Sequence, residues 1–503
     1  MPSSSYDDPI IHIDEQLCTG CRRCASVCPV GAILGDAGSP QTIDADRCVI
    51  CGQCVQVCTA FAADYTEDYA AESSGDPAGS GLAGGFEKRE RLAEKRTLRG
   101  MPASVREPLF AAYSTGHALE VRQMLGRPGL HKVVQCAPAI RVSLAEEFGF
   151  PLGTLTPGKM AAALRRLGFD KIYDTNFGAD LTVMEEGTEL IRRVLDGERL
   201  PMFTSCCPAW VKHAETAAPE LLDHLSSCKS PMQMAGALIK TYGAELAGVN
   251  PADIYSVAVM PCTCKKFECA RPELQASGYR DVDAVITTRE LAYLIKDQGI
   301  DFAGLPDEPF DTPLGEYSGA GTIFGVTGGV MEAAIRTGYE LLTQQEIPRL
   351  QLDFVRGEEG IRTADVQVGE LELKVAVVAG LQHVGPVLQA VADGTCPYHF
   401  IEVMACPAGC ISGGGQPKLL TQQMRELAHR ARKSAVYRHD AGLSVRKAHE
   451  NPAIKKVYED VLGEPLGSVS HHLLHTHFQS RRKSEEVSLK VNASAASSCS
   501  KYS

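Results

Sequence analysis

Residues 12–62 carry the same cysteine run twice: Cys18-x2-Cys21-x2-Cys24-x3-Cys28 followed by Pro29, and Cys48-x2-Cys51-x2-Cys54-x3-Cys58 followed by Thr59. Such spacing keeps three sulfurs of each run within reach of one cubic cluster, which dictates how the segment folds. The whole chain holds 19 cysteines in 503 residues. A disulfide framework suits small secreted chains, whereas this one is large, and its polar start, MPSSSYDDPI, lacks the basic and apolar regions of an export signal. Metal binding is the expected use. Zinc sites usually stop at two C-x-x-C pairs, so iron–sulfur chemistry is preferred.

The doubled run resembles that of bacterial ferredoxins, in which three close cysteines and the distant fourth of the other run hold each 4Fe–4S cluster. The resemblance implies Cys18, Cys21, Cys24 and Cys58 around one cluster, and Cys48, Cys51, Cys54 and Cys28 around the other. Thr59, where the first run has Pro29, leaves the ligands intact.

Hydrophobic content of 44% and charged content of 22% describe a soluble globular protein of more than one domain. No apolar run is long enough to span a bilayer, so no membrane partner is expected and the location is read as cytoplasmic. The net charge of −12 disfavours nucleic acid, whose phosphates need basic patches. Residues 64–85 are acidic and rich in Gly, Ala and Ser, and read as a flexible linker. FEKRERLAEKRTLR at 86–99 reads as a solvated charged helix with an i,i+4 pair, Glu87–Arg91; a docking site for an acidic partner is the less favoured alternative.

From about 130 the pattern becomes α/β. The runs KVVQCAPAI, IYSVAVMPC and LKVAVVAGL read as buried strands alternating with helices such as MEEGTELIRRVLDG. Two of these runs lead directly into cysteine or Ala-Pro motifs, as expected for function at strand ends. GAGTIFGVTGGVMEAAIRT at 319–337 misses the G-x-G-x-x-G fingerprint, so tight turns and close backbone approach are preferred to nucleotide binding. His471, His472, His475 and His477 lie close together without carboxylate or cysteine partners nearby, and a metal site there is disfavoured.

Three further peptides lie far apart: TSCCPAW at Thr204–Trp210, MPCTCKKFE at Met260–Glu268, and EVMACPAGCISGGGQP at Glu402–Pro417. They can present four thiolates, Cys207, Cys262, Cys406 and Cys410, to one iron–sulfur cluster. One helical turn would put Cys406 and Cys410 on one side. The thiol of Cys206 and the amine of Lys265 remain spare, which a purely structural cluster does not need.

Together the three peptides resemble the catalytic signature of di-iron (FeFe) hydrogenases. The resemblance spans about 130–480 and implies an α/β catalytic domain of two sheet-containing lobes flanking a buried cluster, with an N-terminal α+β bacterial-ferredoxin-like domain. The expected division is 1–63 ferredoxin-like, 64–105 linker, 106–420 catalytic, 421–484 a fused small-subunit-like helical wrap, and 485–503 a disordered tail. It implies reversible interconversion of protons, electrons and H2. The implied cofactors are three 4Fe–4S clusters and a di-iron subsite bearing CO, cyanide and a bridging dithiolate, joined to the cube through Cys410. Ferredoxin or another low-potential carrier would supply electrons through the N-terminal clusters, and maturation proteins would supply the subsite.

The same resemblance assigns a proton relay of Cys206, Glu186, Ser226, Glu189 and Arg193. It places Lys265, with Glu268 as its neighbour, against one iron-bound cyanide. Ala137 and Pro138 approach the other through the backbone, and Met404 packs over the subsite. Cys136, Cys228, Cys264 and Cys269 are unexpected thiols, Met232 stands where a polar residue is common, and Ala139 where some members have serine. Small core residues are the plain reading of the extra cysteines; altered redox tuning or oxygen response is the sharper one. A hydrogen sensor of low turnover is the alternative function, although no signalling domain is visible. The extra cluster motifs and flavin domains of bifurcating enzymes are missing. An iron–sulfur assembly factor would lack the complete pocket of Cys206, Lys265 and Met404.

Overall fold

The computed structural model describes residues 9–63, 82–357 and 360–482, with side chains from 88 onward in the second stretch. Its frame is two four-stranded sheets. The first is wholly parallel, in the order Ala284–Thr287, Ile254–Met260, His131–Cys136, Lys171–Asp174. Its residues are buried on both faces, as helix-covered parallel strands must be. The second runs Ile361–Val368, Leu371–Ala379, Phe400–Met404, Met202–Phe203; the first pair is antiparallel and the others parallel. All three runs read as buried strands form strands of these sheets.

The parallel strands deliver the chemistry at their C-terminal ends, where open α/β sheets place their sites. His131–Cys136 runs into Ala137-Pro138, Ile254–Met260 into Pro261-Cys262, Met202–Phe203 toward Cys206-Cys207, and Phe400–Met404 into Ala405-Cys406. Lys171–Asp174 feeds the long helix Thr175–Asp196, whose N-cap Asp174 accepts from the Asn176 amide at 2.9 Å. The glycines of 319–337 lie in helices Gly319–Ile323 and Gly329–Thr343 and the turn between them. A Cβ on Gly321 would sit 2.4 Å from the Asn176 carbonyl oxygen, so glycine lets this segment press onto the long helix.

Around the doubled cysteine run are two short helices, Arg23–Ser26 and Gln53–Val57, and three two-stranded antiparallel sheets. Two of these borrow a strand: Ile11–Ile13 pairs with Ala112–Ser114, and Phe61–Ala62 with Leu109–Phe110. Residues 109–114, grouped in the sequence reading with the catalytic part, thus complete the sheets of the N-terminal unit. Residues 82–85, read as linker, open the helix Leu82–Leu98. The rest of that linker, the Glu87 side chain and the 485–503 tail lie outside the described residues. Beyond the third cysteine peptide, helices Gln422–Gly442, Pro452–Val457 and Ser468–Leu474 wrap the frame. Among the described residues no helix is long and apolar enough to cross a membrane.

Candidate functional site

Between the two sheets lies a cavity with about 740 Å³ of space free of protein atoms. Ala137, Pro138, Cys206, Cys207, Cys262, Lys265, Met404, Cys406 and Cys410 all line it. Cys262 comes from the first sheet's peptide, and Cys207, Cys406 and Cys410 from the second sheet's. These thiols are near enough to raise one another's pKa; burial and then its sulfur neighbours push Cys262 to about 12 and Cys410 to about 12. Four soft donors crowded in a buried cavity are ill suited to exist as free thiolates, and fit a cluster whose iron displaces their protons. The expected helical turn between Cys406 and Cys410 is absent. A tight turn with Gly409 at φ +76° leads into a short 3-10 helix, Gly409–Ser412, which still aims both sulfurs into the cavity. A Cβ on Gly409 would meet the Thr327 nitrogen at 2.6 Å.

Lys265 Nζ pairs with Glu268 Oε2 at 2.6 Å and donates to the Cys206 carbonyl at 3.1 Å. Burial disfavours this ammonium, but Glu268 outweighs it and the pKa is raised, so Lys265 presents a positive charge to the cavity. Ala137 and Pro138, expected to approach through the backbone, line the cavity; the Ala137 amide donates to the Val259 carbonyl at 3.0 Å and Pro138 has no N–H. They contribute apolar wall.

Behind Cys206 the long helix places Glu186, Glu189 and Arg193 on one side, with spacings of three and four residues. Ser226 Oγ donates to Glu189 Oε2 at 2.9 Å and lies close enough to Glu186 to oppose the rise of its pKa, so one hydroxyl stands between the two carboxyl groups. Burial first, and Glu189 second, push the Glu186 pKa up to about 8; its Oε1 has no partner. Arg193 Nη2 holds Glu189 Oε1 at 2.6 Å. Cys206 is raised well above an ordinary thiol by burial and then by Glu186, and so remains an S–H group.

In the N-terminal unit, Cys24 senses Cys18, Cys58 and Cys21, while Cys54 senses Cys51, Cys48 and Cys28 before Cys24. The sulfurs are therefore gathered in the crossed sets. This unit docks on the second and third of the far-apart cysteine peptides. Thr263 Oγ1 donates to the Ile50 carbonyl at 2.6 Å, and Gln56 Nε2 to the carbonyls of Gly413, Gly414 and Gln416. Gly52 packs so closely on Gly414 that a Cβ would come 2.9 Å from its Cα.

Of the unexpected thiols, Cys136, Cys264 and Cys269 are buried in the packed frame and outside the cavity lining, whereas Cys228 stands beside Glu189. Met232 lines the cavity, and Ala139 lies buried in the adjoining core. Sequence reasoning missed Glu402, Gln53 and Glu185. Glu402 is buried, accepts from the Gly328 and Met331 amides, and is pushed up to about 7 by burial. His475 does have carboxylate and cysteine neighbours, Glu185 at 3.1 Å and Cys228 at 4.0 Å, but each is more than 240 residues away in sequence.

Three family models match the chain: "Iron only hydrogenase large subunit, C-terminal domain" over residues 131–414, "Iron hydrogenase small subunit" over 426–481, and "4Fe-4S dicluster domain" over 10–59. The NADP-reducing hydrogenase subunit HndD of Solidesulfovibrio fructosivorans is 46% identical over 458 residues, covering 88% of this chain and 74% of that one. Iron hydrogenase 1 of Clostridium pasteurianum is 42% identical, covering 86% and 75%. A solved [FeFe]-hydrogenase structure, that of HydA(deltaEFG), matches with TM-score 0.65 and 41% identity over 73% of this chain and 99% of the other. Cytosolic iron–sulfur assembly component 3 of Rattus norvegicus is more distant, at 31% identity over 361 residues, covering 70% of this chain and 75% of that one.

Proposed function

The chain belongs to the iron-only hydrogenase family, and from that premise we propose that it interconverts 2H+ + 2e− and H2 in both directions. The carrying observation is the juxtaposition in one cavity of four clustered cysteines, a spare protonated thiol and a charged lysine, with a carboxyl relay directly behind the thiol. In this reading Cys207, Cys262, Cys406 and Cys410 would hold a 4Fe–4S cube, and Cys410 would also hold a di-iron subsite with CO, cyanide and dithiolate ligands. That group, when bound, supplies the redox-active metal at which protons and H2 interconvert.

The protein's own residues do the rest. Lys265, held charged by Glu268, attracts an anionic ligand of the group and anchors it. Ala137, Pro138, Met232 and Met404 exclude water from its apolar side. Cys206 holds the last proton. Glu186, protonated below about pH 8, reloads Cys206 and is reloaded through Ser226 from Glu189. Cys18, Cys21, Cys24 and Cys58 would hold one 4Fe–4S cluster and Cys48, Cys51, Cys54 and Cys28 another, and the pair would supply an electron path to the cavity. Ferredoxin or another low-potential carrier in the cytoplasm would feed them, and dedicated maturation proteins would install the subsite.

The test is H2 evolution from reduced viologen after anaerobic cluster reconstitution and loading with a synthetic di-iron precursor. Rapid evolution that collapses in Cys206→Ala supports the catalyst and its thiol together. No gas despite infrared-confirmed loading would leave a sensor of low turnover.

A further inference from the structure

The outer end of the relay is where side-chain chemistry and assigned role part company. Arg193 grips Glu189, while its remaining N–H groups donate to the carbonyls of Arg199, Asp223, His224 and Leu225. A guanidinium does not give up a proton in a protein. Arg193 can orient and neutralise Glu189, but it cannot reload it.

Another set of groups faces Glu189 from the C-terminal wrap. Thr476 N donates to the Ser227 carbonyl and Lys229 N to the Leu474 carbonyl, both at 2.8 Å, and this short antiparallel pairing sets His475 opposite Cys228. Cys228 Sγ then lies 3.9 Å from Glu189 Oε2 and 4.0 Å from His475 Nδ1, within reach of sulfur hydrogen bonds on both sides. His475 Nε2 meets Glu185 Oε2 at 3.1 Å. Glu185 also accepts from Tyr458 Oη at 2.5 Å and the Leu466 amide at 2.8 Å, so it is an acceptor and keeps the ring proton on Nε2. The exchangeable position is Nδ1, 2.8 Å from the hydroxyl of half-buried Ser227.

We propose that Ser227, His475 and Cys228 form the proton intake to Glu189, with His475 as the group charged from the solvent side. The proposal rests on reading Glu189 as a relay member. His475 Nδ1–H passes its proton to Cys228 Sγ as the Cys228 S–H proton passes to Glu189 Oε2. One N–H and one S–H bond break, one S–H and one O–H bond form, no electron moves, and the thiol is restored. Ser227 then takes a proton from solvent and gives its own to Nδ1. H2 oxidation runs the chain backwards. The titratable and charged neighbours of this ring are Glu185 and Glu189 on the long helix, Cys228, Tyr458, and His471, which stacks on it with centroids 4.6 Å apart, with Arg192 beyond His471.

The experiment compares full-chain holoenzymes: the parent, His475→Gln, Cys228→Ala, Cys228→Ser and Glu189→Gln. Infrared spectra confirm equal loading. His475→Gln is expected to slow turnover on the order of 10²-fold, to change the pH profile, and to recover at least in part in millimolar imidazole. Cys228→Ser, which keeps an exchangeable proton, should restore much of what Cys228→Ala loses. If His475→Gln keeps parental turnover and pH profile while Glu189→Gln is inactive, the intake is wrong and the relay stands. If Glu189→Gln is also fully active, the relay falls and takes the intake with it. Slow turnover in His475→Gln with a parental pH profile and no response to imidazole would mean packing alone, and would also overturn the proposal. Should His475→Gln not fold, Ser227→Ala carries the same readouts.

Discussion

The side-chain amide of Gln53 donates to the sulfur of Cys406 at 3.3 Å and to the Ser412 carbonyl at 3.0 Å. Gln53 sits next to Cys54 in the second ferredoxin-like run, so a residue of the N-terminal unit touches a proposed ligand of the active-site cube. A donor to a cluster sulfur favours the reduced, more negative state. Gln53→Leu should therefore lower the potential of the active-site cube by roughly 20–60 mV, taking a net hydrogen bond of ~0.5–1.5 kcal/mol and 59 mV per tenfold for one electron. A potentiometric titration followed by electron paramagnetic resonance measures it; an upward shift would contradict the assignment.

Gly414 abuts the N-terminal unit, and a Cβ there would meet the Cys51 carbonyl oxygen and the Gly52 Cα at 2.6 Å each. Gly414→Ala must push the two units apart. We expect weaker magnetic coupling between the neighbouring clusters and a stability loss of about 1–3 kcal/mol, read by spectroscopy of the reduced protein and by chemical unfolding.

Glu186 supplies a pH test whose sign is fixed by its raised pKa. Below about pH 4.5 the carboxyl is neutral both folded and unfolded. As pH rises towards about 8 only the unfolded chain ionises, so stability falls across that window by about 1.4 kcal/mol per unit. Glu186→Gln removes this loss. The variant should gain on the parent by a few kcal/mol between pH 5 and 8 in cluster-free unfolding, while losing on the order of 10²-fold in H2 turnover. A constant stability difference across that range would show an ordinary carboxylate.

Lys265 and Glu268 form a buried pair, and removing either partner strands the other's charge. Lys265→Met and Glu268→Gln should each cost about 3–5 kcal/mol, and the double variant less than their sum. A thermal double-mutant cycle without cofactor tests this. Lys265→Met should also take up the di-iron precursor poorly while still binding the cube, as infrared and iron content would report.

How much of this was legible in the chain follows from which interactions are local. Cysteine spacing marks the three close sulfurs of each run because a few intervening residues fix them, while the crossed fourth ligand came only from the resemblance; the apolar runs leading to Ala137 and Cys262 read as strands because burial on both faces leaves no alternation. Four features did not read through. Cys406 and Cys410 have a spacing that a helix or a Gly409 turn serves equally well. Strands at 109–114 are too short to announce themselves and gain meaning only from partners at 11–13 and 61–62. His475 looked partnerless because Glu185, Ser227 and Cys228 reach it only through tertiary packing, and Gln53 carries no signal apart from the sulfur it touches.

The four cysteines of the cavity do not come from one lobe: Cys262 hangs from one sheet, and Cys207, Cys406 and Cys410 from the other. A cluster bound there is a rivet. It would tie Cys262 to a ligand 55 residues before it and to two more some 145 residues after it, so that the two sheets would be joined through the metal as well as through their packing.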